Sequence, residues 1–195
     1  MARTRADNFD DVKAAILAAA ARVFAEKGFR NANIIDIGAA SGASKSRMYH
    51  YFPSKEAMLS EMLLEHVNGL LTIARDITGS KLPPEEKLRK YVLAHLNYYF
   101  GMRDRHKVLL TDAEYLPEAV LADVRGSEHQ LVQQLGAVLK ELNPERFKAR
   151  LNTSAHAMLI YGMLNWTHTW YEPEGALSLS SLASKAVDLC LHGVL

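Results

Sequence analysis

From Asn33 to Lys55 the chain reads NIIDIGAASGASKSRMYHYFPSK, and the order of its punctuation predicts two short helices and the start of a third. Asn33 is a good N-cap for a helix opening at Ile34, and Asp36, three residues on, suits the positive end of that helix. Gly42 supplies the left-handed residue that closes it. Ser44 caps the next helix, whose body is Lys45 to Tyr51, and Pro53 forces Phe52 into extended backbone. Two compact helices joined by a tight glycine turn make a helix-turn-helix.

At about 100° per residue, the second helix sorts its side chains into two faces. Met48, Tyr51 and Phe52 cluster on the side that packs beneath it. Ser46 and His50 point most directly away, with Lys45 and Tyr49 on one flank and Arg47 on the other. That outward face carries donors and positive charge but no carboxylate, which suits a major groove lined by phosphates. Gly38, Ala39 and Ala40 keep the supporting helix slim enough for close contact.

Working outward, the order Gly28-Phe29, a capped helix, Ser41-Gly42-Ala43-Ser44, Tyr49-His50-Tyr51-Phe52 and Ser54-Lys55 closely resembles the N-terminal domain of TetR-family transcriptional regulators, over roughly the first sixty residues. It departs in detail: Asn33 stands where that family usually has Thr or Ser, Gly38 where it has Ala, and Ala43 where it has Val. The resemblance implies an all-α protein, with a three-helix helix-turn-helix head over residues 1–55 and a larger helical body for ligand binding and dimerisation over 56–195. The residues expected to face double-stranded DNA are Asn33, Ser44, Lys45, Ser46, Arg47, Tyr49, His50 and Lys55. Of these, Tyr49 and Lys55 are expected to hold phosphates, and Lys45, Ser46, Arg47 and His50 to approach base edges. One short helix reads few base pairs, so an inverted-repeat operator read by a homodimer is expected.

Composition agrees with this division. Helix formers dominate and Pro is sparse, which favours an all-helical chain. Up to Lys55 nine basic residues face five acidic ones, a balance of +4, which leaves −3 for the remainder of a chain whose total is +1. A basic segment joined to a mildly acidic one fits a DNA-binding part fused to a module that avoids DNA. The single cysteine, Cys190, excludes an internal disulfide. No membrane-spanning run or leader is legible, so a reduced cytoplasmic setting is expected.

An enzyme is the rival of a different class. The eight His residues are scattered, without a His-x-x-x-His pair, a cysteine cluster, a P-loop or a dinucleotide fingerprint, so neither catalysis, a metal nor a cofactor is expected. A second rival, an architectural DNA binder without an effector, is disfavoured by the large apolar remainder of the chain.

Elsewhere the periodicity is helical. Met1 to Asn8, with Arg3 and Arg5, reads as a polar start that can reach DNA beside the main contact, and a helix then runs from Phe9 to Lys27. Ser54 caps a long helix to about Thr78 that belongs to the head at one end and the body at the other, a natural lever, with Glu61 and Glu65 facing water. Helices follow from Pro84 to near Gly101, from Asp104 to Tyr115, from after Pro117 to Leu142, from Phe147 to about Tyr171, and from Ser180 to His192. Met158, Leu159, Gly162, Met163 and Trp166 share one side of the penultimate helix. In TetR-like proteins the last two helices pair with their symmetry mates, so they are assigned the homodimer contact.

The body's resemblance to a TetR ligand-binding domain implies a cavity among its helices. His95, Tyr98, Tyr99, Phe100, Tyr161, Asn165, Trp166 and His168 bring polar tips or rings into apolar helices and are the candidates to line it. The run from Asn165 to Ser178, NWTHTWYEPEGALS, is similar to one in TetR members that control lipid, steroid or aromatic-acid catabolism and answer to acyl-CoA thioesters. The expected protein is therefore a repressor controlled by a small apolar effector, an acyl-CoA thioester. The alternatives are a regulator of efflux or another gene answering to a hydrophobic drug-like molecule, and a DNA-binding protein without an effector.

Overall fold

A computed structural model describes the backbone of residues 2–192 and the side chains of residues 9–192. Among these residues there are nine α-helices and no strand: α1 (Ala2–Lys27), α2 (Ile34–Ser41), α3 (Lys45–Tyr51), α4 (Lys55–Thr78), α5 (Pro84–Gly101), α6 (Arg103–Asp112), α7 (Glu118–Leu142), α8 (Arg150–Trp166) and α9 (Leu179–His192). Short 3₁₀ turns follow α6 at Ala113–Tyr115 and α8 at Thr167–Thr169. The expected helix from Phe9 begins instead at Ala2. The side chains of Arg3 and Arg5, expected to reach DNA, lie outside the described residues.

The chain forms two compact units, one of residues 1–66 with 104–124, the other of 67–103 with 125–195. A boundary at residue 55 takes in only the helix-turn-helix and its supporting helix, whereas the first unit also includes the opening half of α4, α6 and the residues after it. Three interactions explain the difference. The buried Asp112 carboxylate accepts a hydrogen bond from the Phe29 N–H at 3.2 Å, Tyr115 stacks on the Phe29 ring at 5.5 Å, and Arg105 pairs with Glu65 at 2.9 Å. The core of this unit gathers Ile16, Phe24, Ile37, Met48, Phe52, Met58, Leu59 and Met62, all fully buried. Glu61, expected to face water alone, is half-buried in an ion pair with Lys13 at 2.6 Å.

In the second unit α5 packs against α9, around a core that includes Leu70, Tyr91, Val92, Leu96, Leu135, Val138, Leu164 and Val187. Lys87 is buried there because its ammonium is satisfied on both sides, by the Thr78 carbonyl at 3.1 Å and the Glu141 carboxylate at 2.8 Å. A buried cation without such partners would be prohibitive.

α8 is shorter than its apolar run suggests. Asn143 accepts from the Arg146 N–H in a side-chain turn at 3.0 Å, and the Thr153 hydroxyl donates to the Phe147 carbonyl at 2.8 Å. These bonds hold Phe147 in the turn before α8, where its side chain is still buried. The shared side of Met158, Leu159, Gly162 and Trp166 is present, but it faces outward: Met158 is 58%, Leu159 72% and Trp166 64% exposed. Thr153, Ala157, Ile160, Tyr161 and Leu164 are the residues α8 buries in its own chain.

Candidate nucleic-acid interface and effector pocket

Each helix of the helix-turn-helix starts on a side-chain cap. The Asn33 side-chain oxygen accepts from the Asp36 N–H at 3.0 Å, and the Asp36 carboxylate accepts from the Asn33 N–H at 3.2 Å, a reciprocal capping box. Asp36 also meets the Lys27 ammonium at 2.7 Å, and this bond, with that from Asn33, holds its carboxyl below the ordinary value. Gly42 closes α2 at φ +69°, in the left-handed region that favours glycine. Ser44 then accepts from the Arg47 N–H at 3.2 Å and starts α3. Asn33 and Ser44, expected to touch DNA, are thus exposed residues whose side-chain oxygens shape the turn.

Gly38 fixes how closely the two helices approach. A Cβ there would lie 2.9 Å from the Met48 methyl and 3.0 Å from the Ala43 carbonyl oxygen, so α3 packs directly on the α2 backbone. Met48 and Phe52 are buried beneath α3. Lys45, Ser46, Arg47, Tyr49 and His50 are all exposed, and the structure brings these five onto one surface.

Lys55 does something other than its place in the sequence suggests. Its ammonium donates to the carbonyls of Phe29 at 2.9 Å, Ala32 at 3.0 Å and Arg30 at 3.4 Å, and lies 4.4 Å from the Phe29 ring centre. An ammonium has three donors, and each is aimed at main chain. Lys55 is a tie between the start of α4 and the α1–α2 loop, so the geometry does not leave it as a free cation for a phosphate. Phe9, which periodicity marks only as the start of a helix, packs on Tyr51 at 4.5 Å and edge-on to His50 at 6.1 Å, bracing the end of the exposed face.

In the second unit His95, Tyr99 and Tyr161 come together, but ring against ring. His95 stacks on Tyr91 at 4.2 Å and meets Tyr99 and Tyr161 edge-on. Its Nδ1 lies 2.8 Å from the Tyr91 carbonyl, an oxygen that can only accept, so Nδ1 carries the proton and Nε2 is an acceptor. Burial lowers its pKa to about 4 and keeps the ring neutral. The Tyr91 and Tyr161 hydroxyls bond each other at 2.6 Å beside the Leu131 carbonyl, and burial raises both phenols above their ordinary value.

The remaining candidates separate. Tyr98 is half-buried with its hydroxyl against Gly69, and Phe100 packs edge-on to Tyr171 at 4.7 Å. Asn165 is half-buried with its side-chain oxygen enclosed, and His168 Nδ1 lies 2.8 Å from the Asn165 carbonyl. Trp166, expected to line the cavity, instead stands on the outward face of α8 and lines no interior space. An open groove of about 450 Å³ does exist in this unit, but Leu88, Leu139, Phe147, Ile160 and Met163 floor it, and none of the eight expected residues lines it. Its walls come from positions a hundred residues apart, which no local periodicity can sum.

Residues 81–194 match the model of the tetracyclin repressor-like C-terminal domain, and residues 16–62 match that of the bacterial regulatory proteins of the tetR family. The chain belongs to the TetR family. It is similar to a TetR-family transcriptional regulator of known structure from Bordetella parapertussis 12822, with 38% identity, a TM-score of 0.88, and coverage of 94% of this chain and 95% of that one. It is 26% identical to the HTH-type transcriptional repressor KstR2 of Mycobacterium tuberculosis, over 92% of this chain and 90% of that protein. The fold is also that of AibR, solved in complex with isovaleryl coenzyme A and operator DNA, at 20% identity and a TM-score of 0.79 over 91% and 97% of the two chains. The protein is accordingly a TetR-type transcriptional regulator with a helix-turn-helix, and not an enzyme. Among the described residues, no helix of this TetR-family chain is long and apolar enough to cross a membrane.

Proposed function

We propose that this TetR-family protein is a dimeric repressor. Each copy lays α3 into the major groove of an inverted-repeat operator, and an acyl-CoA thioester changes its hold on that operator. The observation that carries the reading is the surface of α3: five exposed donors or cations, Lys45, Ser46, Arg47, Tyr49 and His50, with no carboxylate in the helix. Lys45, Ser46, Arg47 and His50 approach base edges, and Tyr49 meets a phosphate.

Dimerisation is supported by α8. Leu151, Ala155, Met158, Leu159, Gly162 and Trp166 recur at helical spacing on its exposed side, an apolar stripe that would cost free energy if left in water. A second copy related by a twofold axis covers it and gives the spacing of two half-sites. The repressor reading is supported by KstR2, a repressor similar over almost its full length, and the effector class by AibR, solved with isovaleryl coenzyme A and operator DNA together. A ligand that prefers one of two states, one able and one unable to bind DNA, shifts the population toward it, with coupling typically about 1 to 3 kcal/mol.

Selection from a random DNA pool, followed by anisotropy titration and sedimentation with and without octanoyl-CoA, tests the reading. An enriched inverted repeat, bound by a dimer with an affinity that the thioester changes, is expected. A monomer with no preference for any inverted repeat would overturn it.

A further inference from the structure

The groove between α5, α7, α8 and α9 has chemistry that selects a ligand. Its volume, about 450 Å³, lies within the range of small-molecule sites. The floor is aliphatic and aromatic, with Leu88, Leu139, Phe147, Ile160 and Met163, its edge carries Leu159 of the stripe assigned above to the dimer contact, and the lining holds no carboxylate. Arg146 and His156 stand together in its wall.

That arginine is held in place. Its N–H donates to the Asn143 side-chain oxygen at 3.0 Å, and its carbonyl accepts from the Asn152 amide at 2.6 Å. His156 Nδ1 lies 2.8 Å from the Asn152 carbonyl, which puts the proton on Nδ1 and leaves Nε2 to accept from the Arg146 guanidinium at 3.4 Å. The histidine thereby orients the cation without neutralising it. Lys148 and Arg150 follow in the next four residues, both exposed. Among the described residues, none of these three cations forms an ion pair, and neither does Glu145 beside them. By contrast, Lys87 and Arg89 of the same unit each have a carboxylate partner. α8 begins there with no acid in its first turn and no side-chain cap. An apolar trough therefore ends at a segment of net positive charge, three cations beside the one carboxylate of Glu145.

We propose that this groove is the effector site, taking an acyl chain along its floor and the chain's anionic head on Arg146, with Lys148 and Arg150 behind. The proposal rests on the acyl-effector reading above and adds the place and the head-group chemistry. A carboxylate and a thioester's phosphates share that chemistry, and the guanidinium stays charged for either.

The protein carries its own reporter, because its single cysteine, Cys190, lines the same groove. Alkylation of Cys190 in the full-length protein by iodoacetamide is followed by mass spectrometry with octanoyl-CoA, octanoate or free CoA present, alongside thermal shift. The expected result is stabilisation by octanoyl-CoA, slowed alkylation, and neither effect from free CoA. Protection by octanoate as well would assign the carboxylate as the head that Arg146 meets, and protection by the thioester alone would assign the phosphates. Arg146→Ala, a change at an exposed residue, should weaken octanoyl-CoA binding about tenfold or more, as expected when a charge-assisted hydrogen bond is removed, without moving the ligand-free melting temperature. Stabilisation by octanoyl-CoA with Cys190 unprotected and Arg146→Ala indifferent would place the effector elsewhere, overturning this inference and leaving the acyl-effector reading intact. No stabilisation by any acyl probe removes both. Alkylation that slows with protein concentration alone would make the groove a contact between two copies and overturn the proposal.

Discussion

The Lys55 ammonium lies 2.9 Å from the Phe29 carbonyl oxygen and 4.4 Å from the centre of the Phe29 ring, joining the first turn of α4 to the loop that precedes α2. Removing it leaves three carbonyls, those of Phe29, Arg30 and Ala32, without this donor. Lys55→Ala should cost on the order of 2 kcal/mol, because hydrogen bonds from charged donors exceed neutral ones. Because the ammonium is held by main chain, the slope of log affinity against log salt should be unchanged, whereas removing a side chain that neutralises a phosphate would flatten it by about one. Urea denaturation and a salt titration on one operator measure both. A flattened slope with unchanged stability would return Lys55 to phosphate binding.

Arg47 is the opposite case, an exposed side chain on α3 whose backbone N–H is already held by Ser44. Arg47→Ala leaves that capping bond in place, so folding should change little. Deleting a side chain that reads a base typically costs about 1 to 3 kcal/mol and relaxes preference at one position of the site. Binding to the selected inverted repeat and to single-base variants checks this. Uniform weakening across all variants would make Arg47 a phosphate ligand.

What is legible in the sequence has a local cause. Asn33, Gly42 and Ser44 mark helix ends because a cap is satisfied within three residues, and the two faces of α3 follow from its own spacing. The role of Lys55 is hidden because its partners lie 23 to 26 residues earlier in the chain. Trp166 misleads for a related reason: a periodic stripe tells which residues share a face, not whether that face is covered by the same chain. The aromatic residues His95, Tyr99 and Tyr161 do point inward together. They pack into core because Tyr91, one turn before His95, fills the space beside it.

Two buried histidines set an acid limit on stability. His66 and His95 are each fully buried with pKa values lowered to about 4, in both by burial first and in His66 also by the charge of Arg105. Between about 6.5 and 4 the unfolded chain binds protons that the folded rings refuse. Stability is therefore complete above pH 6.5 and falls as pH drops toward 4, on the order of a few kcal/mol per ring across the window. Urea midpoints at pH 7.5, 6 and 5 should decline in that order. His95→Phe keeps an aromatic ring in place and removes one titration, so its decline should be shallower. An equal slope in the variant would exclude His95 as a contributor.

Gly69 and Tyr98 are fitted to each other across α4 and α5. A Cβ at Gly69 would run into the Tyr98 hydroxyl, with the ring carbon behind it at 2.8 Å, and a tyrosine ring cannot bend away as a methionine can. Gly69→Ala gains helix propensity of about 1 kcal/mol, but it displaces a half-buried ring, and such overpacking costs about 1 to 3 kcal/mol. The net effect should be destabilising. In a Tyr98→Ala background the obstruction is gone, so the same glycine change should become stabilising through propensity alone. A double-mutant cycle by chemical denaturation isolates the pair from the other neighbours of Tyr98. If Gly69→Ala cost the same in both backgrounds, the seat for Tyr98 would not be what requires glycine there.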